Sequence, residues 1–126
     1  MKGFYEEIGN AVYDPVAGIR IAPLQKGTAL NSFGTRMDEG TKVSCHVHTQ
    51  GDEWYSMLDG EGVIYLADLV DGELKNKRHY PVKKGDTFCI SGNTAHQLCA
   101  KTQLDFIFLC PDSHLSTDRI VLDDLC

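Results

Sequence analysis

His46, His48 and Glu53 lie within eight residues of one another, in the run His46-Val47-His48-Thr49-Gln50-Gly51-Asp52-Glu53. On an extended strand, residues two apart face the same way, so His46 and His48 share one face while Cys45 and Val47 take the other. Thr49-Gln50-Gly51-Asp52 can turn the chain, and Glu53 then opens the next strand. Two imidazoles and a carboxylate on adjacent strands each offer a lone pair toward a shared point, which suits a divalent transition metal. Calcium and magnesium prefer all-oxygen cages. His96 follows the turn Ser91-Gly92-Asn93-Thr94 and is a candidate fourth ligand from across the fold, although nothing local requires it to join the others.

The elements that must position these side chains read as strands. No long stretch has a helical period; short apolar runs alternate with Gly, Asp and Asn. Strands are expected over residues 19–24, 29–36, 42–48, 53–58, 63–69, 74–82, 87–90, 95–100 and 104–110. Asp59-Gly60 and Asp71-Gly72 have hairpin-turn chemistry, Lys83-Lys84-Gly85-Asp86 supplies another turn, and Pro111 closes the last long strand. Many short strands at regular spacing indicate an all-β sandwich or barrel of antiparallel strands. The tail from Asp118 to Cys126 reads equally as a final strand or a short helix.

The 126 residues fit one domain, 1–126, with enough chain to bury a core without disulfides. A net charge of −6 argues against a phosphate backbone as partner, so no nucleic acid is expected. The cationic run from Lys75 to Arg78 reads as a solvated hairpin edge. Five cysteines without CxxC spacing do not suggest a thiolate zinc site. Their odd number, with no apolar leader after Met1, points to reduced thiols, a cytoplasmic location and no membrane partner. Cys45 and Cys89 are expected to be buried in strands, and Cys126 to be an exposed thiol.

Gly40, five residues, His46-Val47-His48, four residues, Glu53, six residues and Gly60 resembles the first motif of the cupin superfamily, with every fixed position filled. Gly85 and His96 fall at the spacing of the second motif. There Ser91 replaces the usual Pro, Asn93 the usual Gly and Ala100 the usual Asn. The resemblance spans roughly residues 29–111. It implies a double-stranded β-helix (a small jelly-roll barrel), often dimeric, in which His46, His48, Glu53 and His96 bind one Fe, Mn, Ni, Co or Zn ion. Four protein ligands on a six-coordinate ion leave two positions for water, substrate or dioxygen.

Tyr55 shares the Glu53 face and is a candidate proton donor in catalysis. Arg36 is a candidate for holding a substrate carboxylate or phosphate. Met57, Phe106 and Phe108 read as barrel filling, Trp54 points the opposite way, and His79 and His114 read as surface residues. Asp118-Arg119 reads as an ion pair near the barrel mouth. Phe4, Tyr5, Val12 and Tyr13 are expected to be exposed and exchanged between the subunits of a homodimer. The leading functional expectation is a metal-dependent isomerase or lyase acting on a small oxygen-rich metabolite such as a sugar acid or keto acid. An iron-dependent dioxygenase and a non-catalytic small-molecule-binding protein are the alternatives, since a fold alone does not choose among them.

Overall fold

The computed structural model describes residues 1–126. In chain order the elements are helix α1 (Phe4–Glu7), a 3-10 turn (Ile8–Asn10), β1 (Val12–Asp14), β2 (Ile19–Lys26), β3 (Asn31–Met37), β4 (His46–Val47), β5 (Glu53–Asp59), β6 (Glu61–Val70), β7 (Glu73–Lys83), β8 (Thr87–Ile90), β9 (Thr94–Ala100), β10 (Leu104–Cys110), a second 3-10 turn (Asp112–Leu115) and β11 (Ile120–Val121). They form two antiparallel sheets, ordered β1-β2-β3-β10-β5-β8 and β11-β4-β9-β6-β7. Both sheets turn their apolar faces inward, giving the all-β double-stranded β-helix.

Alternation within each strand produces this arrangement. In β5, Glu53, Tyr55 and Met57 point inward and Trp54 is half exposed. In β10, Leu104, Phe106, Phe108 and Cys110 all join the central core. Ile64 and Val82 close that core from the opposite sheet, with Leu98 and Ala100. A smaller cluster lies on the outer face of the five-stranded sheet, where Cys45, Val47, Ala67 and Ala95 are covered by Leu122 and Leu125 of the tail. The tail residues Ile120–Val121 are therefore a strand, paired with His46 and Val47.

The turns need backbone that few residues adopt. Gly60 has φ +89°, and a Cβ there would lie 2.0 Å from the Gln103 carbonyl oxygen. Asn93, in place of the usual glycine, takes φ +62°; asparagine is one of the few side-chain-bearing residues that visits this region readily.

Several expectations are corrected. The segment 42–48 is a strand only at His46–Val47; before it the chain runs irregularly beside β9, with the Val43 amide donating to the Leu98 carbonyl. Phe4 is buried against Gly34, while Tyr5, Val12 and Tyr13 are exposed. Cys89 is exposed because its side of β8 faces outward, whereas Cys45 and Cys110 are buried. Cys126 is not a free thiol: the folded-back tail joins it to Cys99 as a disulfide. No helix is long and apolar enough to cross a membrane.

Candidate metal centre

His46 and His96 are register partners in the β4–β9 pair, so their side chains leave the sheet side by side. His48 follows one residue beyond β4, and Glu53 begins β5 in the facing sheet. The ring centroids lie 4.2 Å apart for His46–His96, 4.8 Å for His46–His48 and 5.2 Å for His48–His96. One potential ligand atom from each of the four residues falls within 4.8 Å of all the others. The third histidine, which no local pattern could place, is brought in by strand pairing.

Each ring is held by a backbone carbonyl. His46 Nδ1 lies 2.7 Å from the Ser44 oxygen, His48 Nδ1 2.6 Å from the Asp118 oxygen and His96 Nδ1 3.0 Å from the Thr94 oxygen. A carbonyl can only accept, so each Nδ1 carries a proton and each ring turns its Nε2 inward. His96 Nε2 then lies 3.0 Å, and His48 Nε2 3.4 Å, from Glu53 Oε2. All three atoms are buried without a hydrogen-bond partner. Lone pairs this close repel unless a positive charge lies between them, and a buried, uncompensated carboxylate costs several kcal/mol. Around a cation with bonds of about 2.1 Å, neighbouring donors sit about 3.0–3.4 Å apart. The site fits a divalent transition metal.

The titration behaviour has the same origin. Burial, reinforced by the neighbouring His96, pushes His46 down to about 3. Burial alone would raise the Glu53 carboxyl, but the facing His48 and His96 rings outweigh it and hold the group well below the usual carboxylate range. Burial opposes a charge on His48, yet Glu53 raises its affinity for a proton. A metal ion would therefore compete with a proton for the position between His48 and Glu53.

His46, His48 and Glu53 open onto a cavity of about 30 Å³ walled by Ile19, Ile21, Val43, Tyr55, Phe106 and Phe108, with His96 behind them. Tyr55 is buried, and its ring stacks on Phe88 and Phe106. Burial above all, then the charge of Glu53, pushes its phenol well above the ordinary value, so Tyr55 enters the cavity wall as a neutral hydroxyl. Arg36 does not belong to this wall. It projects from the outer side of β3, where it grips its register partner Asp105 through two hydrogen bonds of 2.7 and 2.9 Å. The arginine that lines the cavity is Arg119, which pairs with Asp14 at 2.5 Å. Arg119 therefore does not pair with Asp118. The Asp118 carboxylate instead accepts hydrogen bonds from the Thr49 amide, the Thr49 hydroxyl and the Gln50 amide.

His114 is the clearest departure from the sequence reading. It is 1% exposed rather than a surface residue, and its ring stacks flat on His48 at 3.9 Å. His79, by contrast, is exposed on β7 as expected. No local signal marks His114, Asp118 or Arg119. Their approach depends on the chain folding back after Pro111, a contact that spacing does not encode.

No protein-family model and no curated protein matches the sequence. Solved structures do match the fold. A cupin superfamily protein from Desulfitobacterium hafniense is 17% identical, with 79% of this chain and 83% of that one covered at a TM-score of 0.59. A double-stranded β-helix protein from Klebsiella pneumoniae is 12% identical, covering 98% and 97% at 0.71. A predicted oxalate decarboxylase from Thermotoga maritima is 20% identical, covering 97% and 99% at 0.67. The chain has the cupin fold.

Proposed function

We propose that the protein is a metal-dependent enzyme acting on a small oxygen-rich metabolite, such as a sugar acid or keto acid, by isomerase- or lyase-type chemistry. One observation carries this reading: the inward Nε2 atoms of His48 and His96, their rings held by backbone carbonyls, meet a buried carboxylate beside a cavity that also holds a tyrosine and an arginine. His46, His48, Glu53 and His96 would hold one Fe, Mn, Ni, Co or Zn ion. When bound, such an ion supplies Lewis acidity toward a carbonyl or carboxylate oxygen.

The other residues do the remaining work. Tyr55, kept neutral by burial, donates its hydroxyl proton to an oxygen of the reacting substrate. Arg119 binds a substrate carboxylate by exchanging it for Asp14, because a guanidinium accommodates either acid in the same fork. Phe106 and Phe108 exclude water, which strengthens each of these interactions. With about 30 Å³ of free space, the cavity has room for roughly one water. The Thermotoga maritima neighbour, described as a predicted oxalate decarboxylase, supports lyase chemistry on a small acid. Exposed Tyr5, Val12 and Tyr13, near the β1 edge, favour a homodimer.

The test is turnover of a panel of sugar acids, keto acids and dicarboxylates by protein loaded separately with each of the five metals. Metal-dependent turnover without oxygen uptake is expected. Tyr55→Phe should lower kcat by about 10²–10⁴-fold at unchanged metal content. Oxygen consumption would favour the dioxygenase. Tight metal and ligand binding without turnover would favour a non-catalytic binding protein.

A further inference from the structure

The bonding of His114 is the reverse of that of the three clustered histidines. Its Nε2 lies 2.5 Å from the Gln50 carbonyl oxygen and must carry the proton. Nδ1 is left as a buried lone pair with no partner. The ring is 1% exposed, so bulk solvent does not reach that atom. An orphaned buried acceptor of this kind is destabilising unless something binds it. Stacking on His48 fixes the direction of the lone pair.

Cys110 lies at the inward end of β10. Phe108 pairs with Tyr55 and Leu109 with Trp54, which brings Cys110 beside Glu53. Cys110 is completely buried and takes no part in the disulfide. Ligand atoms of Glu53, Cys110 and His114 all fall within 4.8 Å of one another. For bonds of about 2.0–2.3 Å, such donors need to close by about 1 Å around an ion, well within side-chain freedom.

We infer that Glu53, Cys110 and His114 form a second cation position, selective for a thiophilic ion such as Zn²⁺, Cd²⁺ or Cu⁺ and sharing Glu53 with the histidine cluster. Sulfur and imidazole set its preference, whereas the neighbouring three-histidine position also accepts harder ions such as Mn²⁺. On binding, the Cys110 S–H bond breaks, its proton passes to solvent and a sulfur–metal bond forms, with no change in oxidation state. The inference goes beyond the proposed activity and does not require it.

Titration of the metal-free protein with Cd²⁺, followed through the ultraviolet thiolate-to-cadmium absorption, tests the position. The exposed Cys89 is first replaced (Cys89→Ser) to remove adventitious binding. The absorption should appear in this background, vanish on adding Cys110→Ala, and require at least tenfold more Cd²⁺ with His114→Phe, which keeps an aromatic ring at the stack but removes both nitrogens. Mn²⁺ binding, followed by electron paramagnetic resonance, should persist within a few-fold in both variants and be lost in His96→Ala. That measurement also shows that the variants are folded. No thiolate absorption, or one that survives Cys110→Ala, overturns the second position while leaving the Mn²⁺ site standing. Loss of Mn²⁺ binding in the unmutated protein would sink the histidine site instead, and the cadmium result would be judged separately.

Discussion

Replacing Asp118 with alanine should loosen both the tail and the metal site. The carboxylate accepts from the Thr49 amide at 2.8 Å, the Thr49 hydroxyl at 2.9 Å and the Gln50 amide at 2.8 Å. Hydrogen bonds to a charged group contribute about 1.5–3 kcal/mol each when buried. These are solvent-accessible and act together, so a total loss of about 1–3 kcal/mol is expected rather than their sum. The same residue's carbonyl receives the His48 Nδ1 proton at 2.6 Å, and that contact persists only while the 118 backbone stays against the 49–50 turn. Loss of such an orienting partner typically lowers metal affinity by about 10–100-fold. Denaturant titration of the metal-free variant gives the first quantity, and competition with a chelator gives the second. An Asp118→Ala protein that loses stability but keeps unchanged metal affinity would refute the claim that the tail orients His48.

His48→Ala should lower metal affinity by at least about 100-fold, because one of few ligands is removed, while His79→Ala on exposed β7 should leave metal content unchanged; elemental analysis of untagged protein checks both. Gly60→Ala should cost at least about 2 kcal/mol by thermal or chemical unfolding, since its φ of +89° and the Gln103 oxygen 2.0 Å from the new Cβ both oppose it. Burial would raise the Asp14 carboxyl, but the hydrogen bond from Arg119 and the Ala17 and Val16 amides bring it below its ordinary value. Its contribution, about 1–3 kcal/mol, is therefore fully present above the unfolded pKa and disappears as pH falls through the lower folded one. The stability gap between the native protein and Asp14→Asn should be largest near neutrality and close in strong acid; a gap independent of pH would contradict the pairing.

What could be read from the sequence follows the range of the interactions. β8 and β10 fall at their expected limits, because their apolar alternation is bounded by turn residues on both sides. β4 is shorter than expected because the chain before it is tied by isolated bonds, Val43 to Leu98 and Ser44 to Ala17, that no periodicity reveals. His46, His48 and Glu53 were legible from spacing alone. His96 needed the resemblance, and the strand register with His46 then supplied the physical reason. Arg36 lies away from the cavity because Asp105, its register partner, holds it on the outer face, a pairing that spacing does not reveal. His114 and Arg119 depend on a fold-back after Pro111 that carries no pattern of its own.

X-ray absorption at the manganese edge, on protein holding one Mn²⁺ per chain, tests the centre most directly. The arrangement predicts nitrogen and oxygen neighbours with the multiple-scattering signature of about three imidazoles, falling to about two in His96→Ala. A spectrum of oxygen neighbours alone, unchanged by that substitution, would contradict the assignment of His46, His48, Glu53 and His96 as one metal-binding set.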